Sequence, residues 1–336
     1  MLGARMAEPR QLRLVEPPPV EGQEPRSPTT ARVTRHGRII AVGGGKGGVG
    51  KSLVAASLGI ELANRGWRSV LVDCDLGGAN LHTSLGVLPP KQTLSDFVSR
   101  RVERIEDVVI PTGIPNLSLV SGALDELDAA NPHHGRKMRL IRQLHAMDAD
   151  FVILDLAAGT QKNTLDFFLL ADQKVLVVVP EHSAVENAHR FVKAAFMRRL
   201  RAVCTVFGVA DLLDASPNGG AFRGLSAILE SIQGIDEETR RQIQEQMDAF
   251  RPGLVVNQAR TPEDAEMGRG FATAWRRYFG VAMDVLGTVE QDDDVWRAAR
   301  ERRPLLLARP QGRAALSLAR IASRVQAADA AARAQR

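Results

Sequence analysis

The chain has 336 residues, 44% hydrophobic and 25% charged, a composition ordinary for a soluble globular protein and long enough for one large or two modest domains. Its two cysteines, Cys74 and Cys204, lack metal-type spacing, which excludes a disulfide framework or cysteine zinc site and suits a reducing cytosol. The formal charge of +5, largely from arginine, is too small to argue for nucleic acid or an anionic membrane surface and leaves both open as partners.

Residues 1–36 read as a disordered, proline-rich tail. Glu16-Pro17-Pro18-Pro19-Val20 is polyproline-like, and Pro9, Pro25 and Pro28 add breaks, so the segment buries too little to offset its ordering entropy. Gln11-Leu12-Arg13-Leu14 within it is a short stretch able to dock a partner. The start carries no apolar segment of the secretory kind, and no run approaches the roughly 20 apolar residues of a membrane span. A cytoplasmic location is expected, with room for peripheral contact on the inner membrane face.

From Arg38 the texture changes. Arg38–Val42 reads as a buried strand that enters a glycine cluster and then a helix from about Ser52 to Arg65. Further strands are expected at Ser69–Asp73, Leu117–Val120, Phe151–Leu154, Val175–Val179, Leu254–Val256 and Asp284–Leu286, mostly separated by helical stretches. Such alternation predicts a doubly wound α/β fold, its mainly parallel sheet covered by helices on both faces. Aromatics are only 4% of the chain, so the core must rest on Leu, Val, Ile and Ala. Between 211 and 250 the pattern weakens; a turn at Pro217-Asn218-Gly219-Gly220 precedes helices expected at Gly224–Ile232 and Asp236–Phe250. We read these as a helical insertion carried on one domain spanning 37–326. The alanine- and arginine-rich end, 327–336, is expected to fray.

Gly45-Lys46-Gly47-Gly48-Val49-Gly50-Lys51-Ser52 fits the phosphate-loop pattern, and a strand before it and a helix after it supply the required context. Glycines let backbone N–H groups turn inward around phosphates, and the helix N-terminus adds partial positive charge. Lys51 is placed to reach the β- and γ-phosphates, and the Ser52 hydroxyl to ligate Mg²⁺. One βα unit later, Asp73 and Asp75 close the second strand, on the rim where open α/β sheets bind ligands. Phe151-Val152-Ile153-Leu154-Asp155 is an apolar run ending in an acid that can hold Mg²⁺ through water, the pattern of a Walker B strand.

A second lysine inside the loop, Lys46, makes the chain resemble the deviant Walker A ATPases of the MinD/ParA/Mrp group. The resemblance covers roughly Arg38 to Arg309 and implies ATP and Mg²⁺ as ligands and an ATP-dependent homodimer. In that dimer Lys46 would reach the phosphates of the other subunit, supplying transition-state charge only after dimerisation. It further implies that Asp73 holds a magnesium-bound water and that Asp75 orients the attacking water. Gly159 would provide a γ-phosphate-sensing N–H, although Leu156-Ala157-Ala158 departs from the family's usual residues there. Asn257, at a strand end, would recognise adenine through its amide, which both donates and accepts. Val289-Glu290-Gln291-Asp292 falls where relatives line the ribose and base, and Asn80 matches a family asparagine near the site.

Asp73–Leu81 looks closest to the MinD and FlhG/FleN branch, which positions cell-pole and flagellar machinery. An unidentified protein partner is expected on that ground. The basic side of the Val185–Arg201 helix faces either a partner or solvent. The apolar face Leu318, Ile321, Ala322, Val325 fits a helix packed on the core or a membrane-surface helix. Other readings of the same loop are an ATP-dependent ligase of the cobyrinate or dethiobiotin synthetase type, an iron–sulfur carrier of the Mrp type, and a nucleotide-binding scaffold without hydrolysis. Neither cysteine has the surroundings of a glutaminase nucleophile, and no Cys-x-x-Cys occurs. The retained Lys46, Asp75 and Asp155 speak against the scaffold.

Overall fold

A computed structural model describes residues 37–75, 78, 80–122, 134–211, 224–231 and 234–334. The expected tail, 1–36, and the turn Pro217–Gly220 lie outside the described residues. One eight-stranded sheet organises the rest: β1 (Arg38–Gly43), β2 (Ser69–Cys74), β3 (Val109–Pro111), β4 (Leu117–Val120), β5 (Phe151–Leu156), β6 (Gln173–Val178), β7 (Gly253–Ala259) and β8 (Asp284–Glu290). The spatial order is β3-β4-β2-β5-β1-β6-β7-β8, and every neighbouring pair is parallel except β3–β4. The seven strands expected from apolar runs are all present. The antiparallel β3 carries no such signal, because Val109-Ile110-Pro111 is short and ends in a proline, a residue restricted to sheet edges.

β1, β2 and β5 are buried along their whole length, which is why they read as continuous apolar runs rather than alternating ones. β1 lies between β5 and β6, so the chain leaves it toward one half of the sheet and later fills the other half. The C-terminal end of β1 is therefore a topological switch point, where open α/β sheets form their ligand crevice. Helix α1 (Lys51–Asn64) follows it and is buried on most sides, against β5, β2 and the last helix, Arg313–Ala334. The core is largely aliphatic, with phenylalanines such as Phe97, Phe151, Phe168 and Phe191 set into it and an aromatic cluster of Phe196, Phe250, Trp275 and Phe279. That cluster joins the long helix α6 (His182–Val206) to the helix Pro262–Phe279. In the expected insertion, helices span Leu225–Ser231 and Glu237–Asp248; Ile243 and Met247 are buried, and Arg199 of α6 donates to the Gln246 carbonyl at 2.7 Å.

The last helix differs from expectation at its end. It runs to Ala334 rather than fraying at 327, because Asp329 is buried and accepts from Arg38 Nε, at the first residue of β1. Arg38 also pairs with Asp172, at 2.9 Å. Arg65 at the end of α1 grips the same helix through Gln326 Oε1, Ser323 Oγ and the Ala319 carbonyl. Leu318, Ile321, Ala322 and Val325 are buried, so the apolar face packs on the core. Among the described residues no helix is long and apolar enough to cross a membrane.

Removing one member of a buried ion pair strands its partner's charge. Asp329→Ala is therefore expected to lower unfolding stability by about 3 kcal/mol, read as a reduced urea midpoint with early hydrogen exchange in the last two turns of the helix. A midpoint equal to wild type would mean that Asp172 alone satisfies Arg38.

Candidate functional site

The loop 44–50 joins the end of β1 to α1. Gly50 is the N-cap of α1 at φ +95°, no side chain caps the helix, and its first turn carries no acid. A bare helix N-terminus of this kind presents unsatisfied N–H groups and positive potential to an anion. The motif's glycines are demanded for different reasons. A β-carbon on Gly45 would collide with the Asn187 carbonyl of α6, and one on Gly50 with the Asn257 amide of β7. Gly47 and Gly48 face open space, the latter at φ +78°, and this open side is the cradle a phosphate chain would enter.

Lys51 is only 8% exposed. Burial pushes its ammonium pKa down, opposed by the nearby charges of Asp155 and Asp75. Asp73 and Asp155 are register partners on adjacent parallel strands, 1% and 3% exposed. Burial raises the Asp73 carboxyl to about 6, against hydrogen bonds from the backbone of Leu81 and Asp75. Burial, then the charge of Asp73, raises Asp155 to about 7, against the Ser52 hydroxyl and Lys51. Both oxygens of Asp73 accept backbone N–H groups, Asp75 at 3.1 Å and Leu81 at 3.1 Å, which ties both residues to the end of β2. Asp155 Oδ1 is buried with no hydrogen-bond partner among the described residues.

An unpaired buried carboxylate oxygen beside a hydroxyl and a second carboxylate fits Mg²⁺, which binds through one or two carboxylates plus substrate phosphates. Ser52, Asp155 and Asp73 would hold it here. Among the described residues no group of three His, Cys, Asp or Glu side chains that could hold a metal ion forms, here or elsewhere, so the carboxylates at this site would hold the ion together with the Ser52 hydroxyl and substrate phosphates.

The structure thus brings Lys51, Ser52, Asp73, Asp75 and Asp155 together, while Lys46, Asn257, Gly159 and Asn80 each make hydrogen bonds around the loop or beside it. Lys46 does not enter the cradle; its Nζ donates to Glu181 Oε2 and Ser183 Oγ, both at 3.1 Å, at the start of α6. Asn257 is 2% exposed, and one N–H of its Nδ2 donates to the Val49 carbonyl at 2.8 Å, which ties β7 to the loop. Gly159, at φ +90°, donates its N–H to the Gly44 carbonyl at 3.2 Å. Asn80 turns back to the Gly78 carbonyl. In the Val289–Asp292 segment, Asp292 caps the helix Asp293–Arg300 and accepts from Ala314 N–H. Beside it, Arg260, Thr261, Thr288, Glu290, Gln291 and Arg313 line a cleft of about 660 Å³ at the ends of β7 and β8.

Sequence reasoning missed Glu181, Ser183 and Asn187. Their only local sign is a helix start after Pro180; their nearness to the loop depends on β6 lying beside β1.

The two raised carboxyls set a pH dependence. Their folded values lie above the ordinary carboxylate value of 3.8, so the metal-free fold holds protons that the unfolded chain has lost. The metal-free fold therefore loses stability as pH rises from about 4 through 7. Cation binding needs the ionised forms, so Mg²⁺ affinity is expected to climb from about pH 5 to about pH 8 and then level. Calorimetric titration in buffers of different ionisation heat should detect proton release within that window and none above it. Asp155→Asn should raise the melting temperature of the metal-free chain, more at pH 8 than at pH 5, while abolishing the Mg²⁺ response.

Comparison with known proteins agrees with this geometry. Residues 40–305 match the model of the CobQ/CobB/MinD/ParA nucleotide binding domain. The chain is 27% identical over 294 residues to the antiactivator FleN of Pseudomonas aeruginosa, covering 86% of each. It is 34% identical over 157 residues to the septum site-determining protein MinD of Synechocystis, 46% of this chain and 58% of that one. Among solved structures, MinD of Pyrococcus horikoshii, complexed with Mg-ADP, superposes with a TM-score of 0.57 at 23% identity, over 86% of this chain and 95% of that one. The cell division ATPase MinD of Pyrococcus furiosus does so at 0.58, also at 23% identity. The phosphate loop with its second lysine, the sheet order and the extent of the matching domain together make this chain a member of the MinD/ParA family of deviant Walker A P-loop ATPases.

Proposed function

We propose that the protein is an ATP-driven dimerisation switch that hydrolyses ATP slowly and, through a protein partner, positions or regulates a cellular machine such as a polar or flagellar apparatus. The observation that carries this reading is the division of labour between two lysines five residues apart in one loop. Lys51 is buried inside the cradle beside Asp155. Lys46 stands outside it, its side chain 39% exposed and paired, among the described residues, with Glu181 and Ser183 on the surface. A lysine held at the loop's mouth has no phosphate to serve in its own subunit, and a facing copy of the site would supply one.

In this reading the amides of residues 45–50 and Lys51 bind the β- and γ-phosphates, and the base occupies the cleft between the ends of β7 and β8. Ser52, with Asp73 and Asp155 beside it, would hold Mg²⁺, which when bound would supply positive charge at the phosphates. Asp75 orients the attacking water. Lys46 of a second copy supplies charge at the same phosphates, so turnover waits on dimerisation. The flagellar or polar assignment rests on the likeness to FleN along nearly the whole of both chains.

Turnover per subunit should therefore rise cooperatively with protein concentration. Lys46→Ala should keep ATP affinity and lose about a thousandfold in turnover, the scale of a cation supplied in trans. Asp75→Ala should bind ATP, hydrolyse it far more slowly and accumulate a dimer in size-exclusion chromatography with ATP and Mg²⁺. Wild-type turnover in Lys46→Ala, or turnover independent of concentration, would replace the switch with a monomeric P-loop enzyme.

A further inference from the structure

β8 is the last strand of the sheet, and among the described residues no strand lies beyond it. An edge strand carries on its outer side backbone N–H and C=O groups that remain open to another extended chain. Here that edge forms the floor of a trough. One wall is the helix Pro262–Phe279, which packs on β7 and β8; the other is the last helix, which packs on β8 and α1. Residues 284–288 of the floor are half-buried. Arg269 lines one wall and Arg320 and Arg324 the other. Arg269 is neutralised by Glu266, as Arg313 and Arg309 nearby meet Glu290 and Glu301. Arg320 and Arg324 are different: they are exposed, and their hydrogen bonds go to neutral groups, the Ser317 hydroxyl at 3.1 Å and the Leu286 carbonyl at 2.8 Å. A guanidinium has five N–H donors, so most of their capacity stays turned to the groove with its charge uncompensated.

We infer that the β8 edge is a docking site for an extended acidic segment of a partner protein, its main chain along β8 and its carboxylates on Arg320 and Arg324. The spacing suits such a segment. Four residues of helix rise about 6 Å, close to the roughly 6.6 Å between same-side residues of an extended chain. The trough, about 260 Å³, lies below the roughly 300–1,000 Å³ of pockets that enclose a small molecule. Charge selects among the occupants. Residues 1–36 of this chain carry six arginines against four glutamates and do not complement a basic groove. A second copy laid edge to edge would set these arginines against their own kind. Phosphates of a nucleic acid match the guanidiniums but leave the backbone edge unpaired, whereas a peptide main chain satisfies it. The site does not depend on the phosphate loop, and its test needs no nucleotide.

The experiment is fluorescence anisotropy of labelled short peptides titrated with the full chain at one fixed salt concentration. The probes are alternating Glu-Thr, alternating Glu-Pro, alternating Lys-Thr, and a thymidine oligonucleotide of the same length. Glu-Thr is expected to bind saturably at one site and Lys-Thr not at all. Glu-Pro carries the same charge but lacks half the main-chain donors, and should bind about tenfold more weakly. Arg320→Ala and Arg324→Ala should each weaken Glu-Thr about tenfold, and Arg324→Lys should recover part of that loss. Arg277→Ala removes an exposed arginine that does not line the trough and should change nothing. Each of the following overturns the inference. Equal affinity for Glu-Thr and Glu-Pro, or an equal loss in Arg277→Ala, reduces the binding to general charge attraction. An oligonucleotide bound more tightly than Glu-Thr, and lost in the same variants, makes the trough a nucleic-acid interface. No binding of Glu-Thr, with self-association of the Arg320→Ala, Arg324→Ala double variant in size-exclusion chromatography, leaves the two arginines as guards against edge-to-edge pairing.

Discussion

Parallel registry forces the carboxyl groups of Asp73 and Asp155 together. β2 and β5 are neighbours, Asp73 and Asp155 are Cα partners one residue before the strand ends, and both strands are buried along their length. Ionising both acids there is unfavourable, and the fold answers with nearby groups rather than by separating them. Lys51 is drawn into the interior beside them, the Ser52 hydroxyl donates to Asp155, and Asp73 gathers the backbone of the loop that follows β2. One oxygen of Asp155 is left without a partner. A buried polar atom without a hydrogen bond costs stability, so its retention at a strand end beside a phosphate loop marks a position kept for a ligand.

The loop itself is not a free-standing turn. Its two ends are backed by elements on the same side of the sheet: Gly45 against the α6 backbone at Asn187, Gly50 against Asn257 of β7. α6 follows β6 and β7 pairs with β6, so the half of the sheet built late in the chain fixes the shape of a motif built early in it. Two motif glycines are thus dictated by neighbours, and Gly50 by its φ as well. A side chain at 45 or 50 would push the loop away from its backing before any ligand arrived.

What sequence could reveal divides along the same line. Buried strands of a parallel sheet are local apolar runs, and the phosphate loop, the Asp73-Cys74-Asp75 step and the Asp155 strand end are contiguous signals, so fold and anion site were legible. β3 was too short to show a period. The last helix was expected to end early because its final turns are alanine and arginine, and the buried Arg38–Asp329 contact that holds them joins residues 291 apart. Lys46 and Asn257 stand out in the sequence, but their partners, Glu181 with Ser183 and the Val49 carbonyl, depend on which strands flank β1. No spacing in the chain states that β6 lies beside it.

That hidden adjacency bears on how a switch of this kind can work. Lys46 is held by a pair that is 39% and 59% exposed on its two sides. Exposed ion pairs contribute only about 0–1 kcal/mol, since water competes for both charges and two long side chains must be held still. Asn257, by contrast, holds the loop backbone through a buried bond, where an unsatisfied carbonyl costs more than the bond itself is worth. The two contacts therefore hold the loop with unequal strength. The floor of the cradle is fixed from behind, while the lysine at its mouth can be withdrawn from its surface pair at small cost. In the proposed switch, a loop built this way would bind phosphate in each subunit separately and still release Lys46 to a facing copy, the asymmetry that coupling hydrolysis to dimerisation would require.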